Sequence, residues 1–215
     1  MRSMLKRQLA RKVFPVHRLD HRTSGAILFA FDSETAGKLH TALADGRKDY
    51  IAIVRGEWKY DEDTVVIDQP LKVDEVLKDA VTKFTRLASS TTSELPFSIL
   101  RCQPETGRTH QIRRHAYHLG HPIIGDSQHG DSKVNRSWRT QRGMNRLGLH
   151  CLSIQLKGME SQCLAPLSPE LQNVLSETGE VWDQAIEREP RLLLDPVDDR
   201  GGTFGRNYRA RKSSA

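Results

Sequence analysis

His17-Arg18-Leu19-Asp20-His21-Arg22-Thr23-Ser24-Gly25, followed at once by Ala26-Ile27-Leu28-Phe29-Ala30-Phe31, is the stretch from which the chain is best read. One carboxylate stands there among two arginines and two histidines, beside an apolar run. Opposite charges favour the ionised form of a carboxylate, and an ionised carboxylate can act as nucleophile or base. A structural ion pair at a strand end is the competing reading, because structural pairs perturb carboxylates too. The run from Gly25 to Phe31 predicts a short buried strand.

Downstream, Asp32 or Ser33 can cap a helix reaching Leu43, with Ala36, Leu39 and Leu43 on one face and Gly46 beyond its end. Lys48 to Arg55 predicts a strand that turns Tyr50, Ala52 and Val54 to one side and Ile51 and Ile53 to the other. Thr64–Ile67, Val81–Leu87 and Phe97–Cys102 are further strand candidates, and His150, Leu152, Ile154 and Leu156 alternate like another. Gln111 to Leu119 predicts a helix stopped by Gly120. Ser168-Pro169-Glu170 opens one more helix, lined by Leu171, Val174 and Leu175. Strands outnumber helices without regular βαβ alternation, so the fold class expected is α+β with a mixed, mainly antiparallel sheet flanked by helices and loops. One domain is expected over residues 1–186. From residue 187 to 215 periodicity fades into charge and glycine, which predicts a disordered tail.

The net charge of +6 is unevenly spread. Residues 1–25 carry seven Lys and Arg against one acid, and residues 101–150 carry nine against three. Residues 151–200 reverse the balance, with four basic residues and ten acids. Two basic blocks fit a polyanion-binding surface, and two solvated loops would look the same. The three cysteines, Cys102, Cys151 and Cys163, fall outside C-x-x-C spacing, so neither a zinc site nor a disulfide framework is indicated and a reducing, cytoplasmic setting is expected. No run of apolar residues suffices for a membrane span, and no apolar stretch follows Met1 to Lys12 to make a secretory signal.

Two further segments could carry chemistry. In Gly107-Arg108-Thr109-His110-Gln111-Ile112-Arg113-Arg114-His115 the arginines flank a helix start, where backbone N–H groups favour anions. A basic solvated helix end is the alternative. In Lys48-Asp49-Tyr50-Ile51-Ala52-Ile53-Val54-Arg55-Gly56 a strand tyrosine would ordinarily be packing.

Taken in order, these segments resemble the motifs of RluA-type pseudouridine synthases. His17-Arg18-Leu19-Asp20 with Thr23-Ser24-Gly25 resembles the first, Lys48-x-Tyr50-x-Ala52-x-Val54-x-Gly56 the second, and Arg108-Thr109-His110-Gln111-Ile112-Arg113 the third. His121-Pro122-Ile123-Ile124-Gly125-Asp126 and Leu149-His150 also fit. The run from Glu105 through Arg136, with Arg114-His115 and His129-Gly130-Asp131, is most similar to tRNA-directed members of type C. The resemblance covers Val13 to Trp182.

It implies a pseudouridine-synthase catalytic fold and isomerisation of uridine in RNA, in tRNA by the type C likeness and at a T-stem uridine, with ribosomal RNA as the alternative target. Asp20 would be the catalytic aspartate. Tyr50 would stack on the target base and help remove the proton from C5. Arg113 would pair with Asp20 and orient it. Arg18 would fill the space vacated by the flipped uridine, and Ile112 would wall the pocket. His17, Thr23, Arg108, His110 and Gln111 would complete the RNA contacts. The base must leave its helix to be reached, at a cost of a few kcal/mol, and a cation with an aromatic platform helps offset that. Exchange of an N-glycosidic for a C-glycosidic bond needs neither redox nor energy input, so no cofactor is expected, and a monomer is the default. Members of the family carry a longer segment before the first motif, with strands and a Lys-Pro turn beside the active site. Here 16 residues precede His17, so the N-terminal strands are expected to be missing, with low activity and low stability as the consequence.

Three rivals stand beside this reading. His110, His115, His118, His121 and His129 are close in sequence but lack recognised ligand spacing, so a metal site is not expected. An RNA-binding protein without activity would keep the basic blocks. A hydrolase using Asp20 would need a second carboxylate, which Glu105 or Asp126 could supply.

Overall fold

The computed structural model describes residues 2–90, 94–160 and 162–193. Its spine is strand β4, Arg47–Arg55, whose residues 49–54 are all buried. The helix expected before it is α2, Ser33–Ala44, opened by the Asp32 side chain accepting from the Thr35 N–H at 2.7 Å. It follows α1, Arg2–Gln8, and three strands of two residues each: β1 Phe14–Pro15, β2 Ser24–Gly25 and β3 Phe29–Ala30. Beyond β4 come β5 Thr64–Asp68, β6 Leu71–Val73, β7 Val76–Lys78, β8 Val81–Ser89 and β9 Phe97–Pro104. Helices α3 Gln111–His118 and α4 Ser132–Arg142 lead to β10 Leu149–Gln155 and β11 Gln162–Leu164. Helices α5 Pro169–Ser176 and α6 Glu180–Arg188 and a 3-10 turn, Pro190–Leu193, end the described chain.

The main sheet runs β11-β10-β4-β9-β8-β5, antiparallel throughout, with β2 added parallel to β10. Alternation along β4 divides the core as the period of two requires. Tyr50, Ala52 and Val54 join Phe84, Leu100, Ile112, Ala116 and Leu149 on one face. Ile51 and Ile53 join Trp138, Leu171, Leu175, Trp182 and Leu192 on the other. Both faces are therefore covered, and β10 is buried on both sides rather than alternating in and out. Among the described residues no helix is long and apolar enough to cross a membrane.

Two expectations need correction. Gly25 to Phe31 is not one strand. Gly25, at φ 109°, pairs with Cys151, the Ala26 N–H donates to the Cys151 carbonyl, and the chain then bends back so that Phe29 and Ala30 pair with Pro15 and Phe14. The segment thus bridges two sheets. Nor is the stretch from residue 187 a free tail. Helix α6 continues to Arg188, and Glu189, Arg191 and Leu192 pack against the sheet, Leu192 at 1% exposure. The cause is a polar partner invisible in local periodicity: Arg191 donates to both Glu189 oxygens at 2.6 and 2.7 Å and to Asp49 of β4 at 3.0 Å. Residues 194–215 of the expected tail lie outside the described residues.

Helix α4 was not expected at all. Asp131 caps it, accepting from the N–H groups of Lys133 and Val134, and Trp138 anchors it in the second core cluster. Its exposed Lys133, Arg136 and Arg139 therefore belong to a helix whose Trp138 packs into the second core cluster.

Candidate active site

The first motif is held by backbone before any ligand arrives. The Thr23 N–H donates to the Asp20 carbonyl at 3.0 Å, closing a turn with Arg22 at φ 72°. His17 Nε2 accepts the Leu28 N–H at 3.2 Å, and His40 Nδ1 meets the Val16 carbonyl at 3.0 Å. Burial pulls the His17 pKa down, which keeps that nitrogen free to accept. Ser24 Oγ binds His150 Nδ1 at 2.8 Å, and His150 Nε2 reaches the Ala165 carbonyl at 2.8 Å, fastening the turn to β10.

The third motif is fastened by one side chain. Gln111, 4% exposed, donates through Nε2 to the Val81 carbonyl and Thr82 Oγ1, and accepts through Oε1 from Thr106 Oγ1 and the Arg108 N–H. All four of its hydrogen-bonding capacities are thus taken by the protein. Its expected role in touching RNA is corrected to holding the 106–108 loop against β8. His110 takes a left-handed φ of 55° at the start of α3 and caps nothing with its side chain.

These devices build a cleft of about 520 Å³. Asp20, Tyr50, Arg18, His17, Thr23, Arg108, Gln111 and Ile112 line it, as do Lys48 and Glu105. Eight of the ten expected site residues therefore meet in one place. Arg113 stands behind Asp20 with its Nη1 at 3.7 Å from Asp20 Oδ2. His110 is not on the lining, and its ring meets His129 edge-on at 5.7 Å. The Thr23 hydroxyl is buried and has no hydrogen-bond partner among the described residues.

Two roles change. The bidentate fork of Arg113 goes to Asp126, at 2.7 and 2.8 Å, while Asp20 receives the single longer contact. Burial works to raise the pKa of Asp126, but the fork and the N–H groups of Gln128 and His129 outweigh it and hold the carboxyl below its ordinary range. Asp126 is thus engaged and cannot be the second carboxylate of a hydrolase. Tyr50 is buried, and burial first, then the neighbouring Cys151, pushes its pKa well above that of an ordinary phenol. At neutral pH it is a hydroxyl donor and an aromatic surface, not a phenolate base.

The histidine block disperses. His115 bonds Thr82 Oγ1 at 2.9 Å and the Gln69 carbonyl at 3.0 Å. His121 bonds the Arg55 carbonyl at 2.9 Å and stacks on Trp58. Among the described residues no three His, Cys, Asp or Glu side chains are placed to hold a metal ion.

Sequence reasoning assigned no role to Lys48, and named Asp126 only as part of a matching run and as the second carboxylate a hydrolase would need. The signal for Lys48 was its place two residues before Tyr50, on the same strand face. For Asp126 no local signal existed.

The chain is similar to several known proteins. Residues 2–118 match the family model described as RNA pseudouridylate synthase. The tRNA pseudouridine synthase C of Vibrio vulnificus (strain CMCP6) is 34% identical over 203 residues, covering 86% of this chain and 80% of the relative. That of Pasteurella multocida (strain Pm70) is 41% identical over 170 residues, 68% of each chain. Among solved structures, Human RNA Pseudouridylate Synthase Domain Containing 1 superposes with a TM-score of 0.61 at 26% identity, covering 77% of this chain and 71% of that one. Human RNA Pseudouridylate Synthase Domain Containing 4, at 24% identity and a TM-score of 0.63, shares the fold.

Proposed function

The chain belongs to the RNA pseudouridylate synthase family, and from that membership we propose that it converts a uridine of tRNA to pseudouridine with Asp20 as the essential carboxylate. The observation that carries the reading is the convergence of all three motifs on one cleft, where Asp20 and Tyr50 share the lining and Arg113 backs Asp20 at 3.7 Å. Names of relatives at 34% and 41% identity favour tRNA over other RNA. The catalytic unit on this reading is the packed body through residue 193.

The chemistry asked of the site is an exchange of bonds. The N1–C1′ bond breaks, the uracil turns while still held, C5 bonds to C1′, and the proton on C5 leaves as N1 regains one. Nothing is oxidised or reduced. Asp20, 20% exposed at the side chain, is open to the cleft and can meet the sugar or the base. Arg113 presents one N–H edge to it without enclosing it. Tyr50 offers its ring as a stacking platform, a kind of contact worth about 1–3 kcal/mol per base. A protonated Tyr50 could accept the C5 proton only by passing on its own, and Asp20 is the carboxylate close enough to act electrostatically on it. Arg18, exposed at the rim, is placed to fill the gap left by the flipped base.

The experiment is pseudouridine mapping on an unmodified tRNA transcript incubated with the full chain, beside a binding measurement on the same RNA. A new pseudouridine in the T-stem supports the reading. Binding without any pseudouridine would favour an RNA-binding protein of the same fold, and pseudouridine formed in ribosomal RNA but not in tRNA would overturn the tRNA assignment.

A further inference from the structure

We infer that Lys48 is the phosphate contact of the cleft, gripping the RNA backbone beside the nucleotide whose base lies on Tyr50; the inference rests on the proposed reading of the site. Strand β4 carries three cations, and they differ in partnership. Arg47 forks onto Asp49 at 3.0 and 2.9 Å, and Arg55 reaches Asp131 at 2.8 Å. Lys48 lines the cleft half-buried, and among the described residues it has neither an ion pair nor a hydrogen bond through its ammonium group.

Lysines are seldom withdrawn from water unless paired, and a buried charge without a partner is costly. Burial accordingly lowers the Lys48 pKa. The groups close enough to be felt do not supply an anion. The Cys151 thiol, pushed up to about 12 by burial, is neutral at pH 7, and His17 is held toward its neutral form. Asp20, backed by Arg113, is not among the groups that act on Lys48. The missing counter-charge therefore has to come with the ligand, and the anion every RNA brings is the phosphodiester.

Spacing agrees with that assignment. Lys48 and Tyr50 lie two residues apart on one strand face, roughly 6.6 Å along the backbone. Lys48, His17 and His40 line the same cleft as Tyr50, and the charges of Lys48 and His40 both act on His17. A compact ammonium suits a phosphate as a point charge, without the geometric demand of a guanidinium.

The test uses the full chain, an unmodified tRNA transcript, and Lys48→Gln with Lys48→Met as an isosteric apolar second variant that preserves packing if Lys48→Gln fails to fold. Affinity is measured across a range of KCl concentrations, and turnover is measured in parallel. Loss of one phosphate contact lowers the slope of log affinity against log salt by about one. The RNA concentration giving half-maximal rate should rise more than the maximal rate falls, and Lys48→Arg should restore the parental slope. An unchanged slope and affinity would overturn the assignment, as would a loss confined to maximal rate with the slope intact. If the parent binds the transcript but forms no pseudouridine, the proposed function fails while the salt slope still reports on Lys48.

Discussion

The guanidinium of Arg113 grips Asp126 through Nε and Nη2 at 2.7 and 2.8 Å, and its remaining nitrogen, Nη1, stands 3.7 Å from Asp20. Because the group is planar and rigid, fixing one edge fixes where the other points. Asp126 is itself fixed, with its side chain fully buried and its Oδ1 accepting the N–H groups of Gln128 and His129. Asp20 is thereby given a cation at a set distance that does not tie down both of its oxygens.

A lysine at 113 cannot hold Asp126 with two parallel N–H groups and face Asp20 with a third. Misplacement by about 1 Å can cost on the order of a hundredfold in rate. Arg113→Lys is expected to lose turnover on that scale. Arg114→Lys serves as the comparison, since half-buried Arg114 makes a bond to the Lys72 carbonyl instead. Single-turnover rates on the same transcript decide it, and equal rates for the two variants would detach Arg113 from Asp20.

Asp20→Asn keeps the shape of the side chain and removes the charge. Asp20 shares the cleft with Tyr50, Arg18 and Lys48, which on the proposed reading would still face the RNA in its absence. Pseudouridine formation should vanish while RNA affinity changes little. If Asp20→Ala turned over within about tenfold of the parent, a barrier difference near 1.4 kcal/mol, an essential carboxylate at this position would be untenable.

Gly25 explains the glycine that ends the first motif. Its φ of 109° disfavours any L side chain, and a Cβ there would run into the carbonyl oxygen of Cys151. Gly25→Ala should therefore break the β2–β10 pairing that steadies the Asp20 turn, lowering the melting temperature and turnover together. Gly143→Ala is the control: at φ 66° with nothing near its Cβ position, it should cost only the left-handed term, about 1–2 kcal/mol. Similar melting temperatures for the two variants would mean that the close approach at Gly25 relaxes freely.

What could be read in advance was what local pattern controls. The two faces of β4 follow from its period of two, and α2 follows from Asp32 and its apolar spacing. Helix α4 was equally legible, with Asp131 before it, Val134 and Trp138 four apart and Gly143 after it, yet its many charges read as a loop. The choice of Arg113 between Asp20 and Asp126 was not legible, because either acid would satisfy the same guanidinium and only the fold ranks them. Residues 187–193 misled for a related reason. Glu189 and Arg191 look like solvated charge until Asp49, 142 positions from Arg191, is brought beside them.

That last cluster makes the closing prediction. Asp49 is 1% exposed and accepts from Arg47, Gln103, Ser153 and Arg191 at 2.7 to 3.0 Å. Burial pushes its pKa up, but the bonds from Arg47, Gln103 and Arg191 outweigh this and hold the carboxyl far below the ordinary carboxylate range. A folded-state pKa below the unfolded value of about 3.9 binds protons less readily than the unfolded chain. Its stabilisation is therefore complete above that pH and is lost as pH falls below it. Asp49→Asn removes one partner of a buried ionic cluster, a change that costs about 3–5 kcal/mol in comparable cases. The melting temperature at pH 7 should drop, and its decline between pH 4 and lower values should flatten relative to the parent. Truncation after Ile186 should likewise lower the melting temperature, since it takes away Arg191, Glu189 and the buried Leu192. Melts of the parent, Asp49→Asn and the truncated chain across that pH range settle the matter, and a truncated chain as stable as the parent would show that residues 187–193 contribute nothing to the folded body.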